Sequence, residues 1–157
     1  MATTIVPENL TVTITESYDL NGVSYGNTTS KKYVSNGQVS QRVMNIASKG
    51  GGGADWTSIL ALGAADAQGQ VKQVDYKYFR ITNLDSNTIL NLRFYNGTEY
   101  LAFEVAPASS FLLMDAGTDS PATATTVIAF SDITLIAAQS SSAEAAGVDI
   151  EFLIVTA

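Results

Sequence analysis

The amino-acid sequence predicts an all-β fold: an antiparallel β-sandwich, jelly-roll-like, of about eight to ten short strands. Three observations predict it. Short runs of alternating apolar and polar residues recur along the chain, separated by Asn-Gly steps, prolines and Ser/Asn/Asp clusters at the spacing of a sandwich or barrel. No long amphipathic helical pattern interrupts them. The connections are mostly too short for the helical crossovers that parallel strands require.

Residues 1–9 read as a flexible N-terminal segment ahead of a single domain over residues 10–157. Residues 3–8, with Pro7 and little charge, read either as an arm that adds a strand to a neighbour or as a frayed terminus. Residues 10–14 alternate as Leu-Thr-Val-Thr-Ile, a half-buried strand with Leu10, Val12 and Ile14 on one face. Asn21-Gly22 supplies the positive φ of a tight type I′ turn, and residues 25–29 read as another bend. A run over 31–34 enters Asn36-Gly37 and is followed by a strand over 38–46, where Val39, Val43 and Met44 compete for the inner face. The glycine run at 50–53 is a loop without the Lys-Ser/Thr continuation of a phosphate-binding loop. Residues 55–62 fit a strand or a short helix, and the strand is preferred. Trp56 fits either a partner-binding or sugar-stacking role or a core or rim position.

From Val74 the pattern strengthens. Tyr76, Tyr78, Arg80 and Thr82 share one face and Lys77, Phe79 and Ile81 the other. Phe79 and Ile81 are the expected core residues, which leaves Tyr76 and Tyr78 partly exposed or at an interface. After a turn at 83–87, Leu90, Leu92 and Phe94 point inward on a strand, and Asn96-Gly97 closes a hairpin onto residues 100–105. Pro107 bends the chain into a strand from Ser110. Residues 115–121 form a loop in which Asp115 and Asp119 mark either a solvated turn or a calcium site, though its length and ligand order depart from an EF-hand. Residues 126–137 read as one or two strands, and 139–147 as a weakly structured loop. Residues 148–155 alternate so regularly that this last strand is expected at the centre of its sheet.

Composition narrows the function classes. The 157 residues include no His and no Cys, which removes the usual general base, the thiolate nucleophile, every Cys/His zinc site and any disulfide. A chain of this length can still bury about 70% of its unfolded surface in a single core. The net charge of −7, with eight Lys and Arg, argues against a nucleic-acid partner. The start of the chain lacks the pattern of a secretory signal, and no apolar run approaches a membrane span, so cytoplasmic synthesis and no membrane partner are expected. No catalytic, cofactor-binding or metal site is expected. A glycosidase would need two carboxylates facing a common substrate; the local pairs, Asp115 with Asp119 and Glu99 with Glu104, read as turn and sheet-surface charges.

Three segments carry a resemblance. Arg80-Ile81-Thr82-Asn83-Leu84-Asp85, then Leu92-Arg93-Phe94, then Ala106-Pro107-Ala108-Ser109-Ser110-Phe111-Leu112-Leu113 resemble the R-I-T-N-x-D, L-x-F and x-P-G-x-x-F-x-L layout of small tailed-phage structural proteins. Residues 10–16, 21–28 and 39–42 are similar to the same group from marine and cyanobacterial phages, so the likeness extends loosely over nearly the whole chain. Where that layout favours Gly after the Pro, this chain has Ala108. The resemblance implies a virion structural protein without enzymatic activity or cofactor, specifically a capsid decoration or cement protein on the capsid surface, made in the host cytoplasm. Its implied partner is the major capsid protein. A homo-oligomer is expected, a trimer for preference, since many modest interfaces acting together hold a lattice. The rival expectation is a tail-fibre, baseplate or carbohydrate-binding module that stacks glycans on Tyr76, Tyr78, Tyr95, Tyr100 and Trp56.

Overall fold

The computed structural model describes residues 8–35, 39–48, 56–63, 71–72, 76–114, 133–141 and 147–156. Their strands are β1 (Glu8–Leu20), β2 (Val23–Ser35), β3 (Val39–Ile46), β4 (Thr57–Gly63), β5 (Val71–Lys72), β6 (Tyr76–Asn83), β7 (Leu90–Tyr95), β8 (Tyr100–Val105), β9 (Ser110–Met114), β10 (Leu135–Ser140) and β11 (Val148–Thr156). Among the described residues there is no helix. One sheet has the order β3-β11-β6-β9, the other β5-β4-β10-β7-β8, and β1 pairs with β2 in a two-stranded sheet of its own. With β5 set aside as an edge addition, successive body strands occupy the orders 1-8-3-6 and 2-7-4-5, which is jelly-roll topology. Among the described residues, all pairings are antiparallel except the short β4–β5 pair, Leu62 with Val71 and Gly63 with Lys72.

Alternation builds the core. Leu90, Leu92 and Phe94 of β7 are buried, as are Phe79 and Ile81 of β6 and Val148, Ile150, Phe152 and Ile154 of β11. Four phenylalanines join the two sheets. Phe79 and Phe111 come from one side and Phe94 and Phe103 from the other, with ring centroids 6.2 Å apart for Phe79–Phe94 and 4.8 Å for Phe103–Phe111. Fully burying one such side chain contributes about 2–3 kcal/mol. β11 lies between β3 and β6, the central place its regular alternation predicts.

Several expectations are corrected. Residues 25–29 are not a bend: they lie within β2, where Gly26 pairs with Ser17. A Cβ at Gly26 would sit 2.9 Å from the Glu16 carbonyl oxygen, so this glycine serves close approach of the strands and not a turn. On β3 the inner positions belong to Met44 and Ile46, while Val39 and Val43 face outward. The strand at 135–140 runs on through Gln139 and Ser140, both buried, where a loop was expected. Tyr78 is buried, because the base of the β1–β2 hairpin covers it. The expectations for residues 1–7, for the glycine run at 50–53, and for Asp115 and Asp119 fall outside the described residues.

The motif Arg80 to Asp85 holds the sandwich corner together. Arg80 forms an ion pair with Glu151, and Ile81 is core. The Thr82 hydroxyl meets that of Ser110 at 2.8 Å. The fully buried Asn83 donates from Nδ2 to the carbonyls of Thr88 at 2.8 Å and Val105 at 3.2 Å, and its Oδ1 accepts the Asp85 N–H at 3.1 Å. One side chain thereby satisfies the backbone of two loops, where an unpaired buried polar group would cost about 1–3 kcal/mol. Asp85 accepts the N–H groups of Asn87 and Thr88, both at 2.7 Å, which holds its carboxyl below the ordinary value of 3.8.

Candidate functional site

The feature that the core does not explain is the β1–β2 hairpin. Its thirteen-residue strands pair in unbroken register from Glu8–Ser35 to Leu20–Val23, about 40 Å of ribbon. The turn is Asn21-Gly22, with φ of 51° and 79°, the left-handed pair that a type I′ turn requires. Cross-strand pairing sorts the residues by face. One face carries Asn9, Thr11, Thr13, Thr15, Ser17 and Asp19 opposite Ser24, Thr28, Ser30 and Lys32. Its hydroxyls bond across the strands, Thr13 to Ser30 at 2.9 Å and Thr28 to Thr15 at 3.3 Å.

The opposite face is an apolar stripe: Leu10 with Tyr33, Val12 with Lys31, Ile14 with Thr29, Tyr18 with Tyr25 and Leu20 with Val23, interrupted by Glu16 with Asn27. Among the described residues, only its base is covered. Leu10, Val12 and Tyr33 pack on Tyr78, Met114, Leu153 and Val155, on the outer face of the four-stranded sheet. The Tyr33 and Tyr78 rings lie 5.9 Å apart, and burial pushes the Tyr78 hydroxyl pKa up. Beyond Val12 the stripe is open: Tyr18 is 60% and Leu20 57% exposed, and Ile14, Val23 and Tyr25 are also exposed. Tyr18 and Tyr25 stack with centroids 5.3 Å apart and planes 14° from parallel, a flat apolar plate near the tip. A two-stranded ribbon with one apolar face is marginal in water without a surface to lie on.

The residues expected to stack glycans are not gathered. Tyr78 is covered on one side of the molecule. Tyr95 and Tyr100 pair on the outer face of the other sheet, where Tyr95 donates its hydroxyl to the Gly97 carbonyl at 2.5 Å and Tyr100 is exposed. Trp56 is half-buried with the Arg93 guanidinium 4.4 Å over its ring, a rim position. The side chain of Tyr76 is outside those described. Glu104 faces outward on β8 and Glu99 is exposed in the hairpin loop. Among the described residues, no three acidic side chains gather as a metal site would need, and no helix is long and apolar enough to cross a membrane.

In the sequence the stripe is hidden beyond Ile14. Alternation from Leu10 continues through Tyr18 and Leu20 and resumes beyond Asn21-Gly22 at Val23 and Tyr25, a signal masked by Glu16 and by the polar run at 26–30. No protein-family model, no curated protein and no solved structure matches the chain.

Proposed function

We propose that this protein is a virion structural component, a decoration or cement protein that stabilises a phage head by bridging major capsid subunits. The observation that carries the reading is the pairing of a chemically quiet jelly roll with an amphipathic hairpin whose apolar stripe is left open over most of its length. The sandwich has a packed core of its own, whereas the open stripe of the hairpin is shaped to be held by another surface. The resemblance of residues 80–85 and 106–113 to tailed-phage structural proteins supports placing that surface in a virion. The fold alone would not, since jelly rolls serve lectins and cupins as well as capsids.

The reading accounts for the absence of His and Cys from the sequence. A shell component works by filling contacts and needs neither a proton shuttle nor a thiol. Cyclic homo-oligomers, trimers for preference, would let modest interfaces act together at symmetry axes. Purified protein added to isolated heads that lack it is expected to co-sediment with them and saturate at a fixed ratio to the major capsid protein. Failure to bind heads, or recovery with tails or with host-cell glycan, would overturn this reading.

A further inference from the structure

We infer that the open part of the apolar stripe, from Ile14 to Tyr25, is seated on a second copy of this chain, against the outer face of that copy's four-stranded sheet. The inference deepens the assembly reading above and rests on it only in making the hairpin a contact between chains.

The first argument is continuity. Within one chain this outer face already receives the base of the stripe, through Tyr78, Leu153, Val155 and Met114. Cross-strand pairing places Val39 beside Val155, and Val43 beside Glu151, on that same face, and Leu112 beside Arg80. Val43 is 66% exposed, and Val39 and Leu112 are exposed too. The surface that fits one third of the stripe therefore continues with Val39, Val43 and Leu112 uncovered around the Arg80–Glu151 ion pair, on every copy.

The second argument is area. Ile14, Tyr18, Leu20, Val23 and Tyr25 at their observed exposure present on the order of 500 Å². A stable interface needs about 800 Å² from each partner, so one hairpin laid on an unrelated protein falls short. When each copy both gives a hairpin and receives one in a closed ring, each buries about twice that area in total, roughly 1,000 Å² shared between two neighbours, and ring closure lets the two modest contacts act together.

The test uses the full-length chain alone, so its failure leaves binding to heads as a separate question. Light scattering of the purified protein is expected to give a multiple of the 16.6 kDa chain mass, and the triple variant Tyr18→Ser, Leu20→Ser, Tyr25→Ser is expected to fall to a single chain whose sandwich still unfolds cooperatively in urea. Because the chain has no Cys, a mixture of two single variants, Leu20→Cys and Val43→Cys, reports the seat directly. Oxidation is expected to give the mixed Leu20→Cys/Val43→Cys disulfide dimer as the main product. Wild-type protein that stays a monomer at every concentration, or an oligomer that gives only like-with-like disulfides, would overturn the inference.

Discussion

Ala108 is the residue whose conformation is most at odds with its side chain. It follows Pro107 in a turn closed by the Ser109 N–H donating to the Ala106 carbonyl at 3.2 Å, and it holds φ at +52°. Proline followed by a positive φ is a type II turn, whose third position favours glycine. An alanine there costs about 1–2 kcal/mol, part of which glycine would return as unfolded-state entropy. Ala108→Gly is therefore expected to stabilise the protein by about 0.5–1 kcal/mol, read as a higher midpoint in urea. Asp85 allows a test by pH. Its folded pKa is depressed by two backbone N–H groups, so its contribution is present in full above the ordinary value of 3.8 and is lost as pH falls through the lowered folded value. Asp85→Asn keeps an acceptor and drops the charge, so the loss of stability below about pH 4 is expected to flatten in an acid titration. At this scale the sequence exposed the motif but not its purpose. Asn83 and Asp85 were readable as turn residues; that Asn83 is fully buried and binds the 105–106 carbonyls depends on strands more than twenty residues apart.

At the scale of elements, the hairpin is the part that behaves independently. Its attachment runs through Tyr33, whose ring is buried against Tyr78 while its hydroxyl has no hydrogen-bond partner among the described residues. Tyr33→Phe is expected to stabilise the protein by about 1 kcal/mol, because it removes a buried hydroxyl without a partner while the ring keeps the contact. Tyr33→Ala is expected to weaken attachment by about 2–3 kcal/mol, giving roughly 30- to 150-fold faster tryptic cleavage at Lys31 and Lys32 while the sandwich resists. Cleavage at the wild-type rate would show that Tyr33 does not anchor the ribbon. The Asn21-Gly22 turn was legible because only two flanking strands and a left-handed pair of residues are needed to specify it. The length of β2 was not, since Gly26 and its polar neighbours carry turn chemistry and are held extended only by pairing with β1.

For the molecule as a whole, the jelly roll follows from alternation. Runs such as Leu90, Leu92, Phe94 and Val148, Ile150, Phe152, Ile154 define which face is inside, and short connections leave antiparallel layering as the solution. Local pattern could not show which strands become neighbours, nor that residues 8–35 stand outside both sheets, because those facts depend on long-range pairing. The molecule combines a two-layered sandwich with a separate two-stranded hairpin, and the role proposed for it is contact within a shell. The copy number of this protein relative to the major capsid protein in purified particles tests that claim most directly. A fixed ratio of the same order as the capsid subunit itself is expected; a handful of copies confined to the tail, or none in the particle, would rule out a role in the shell.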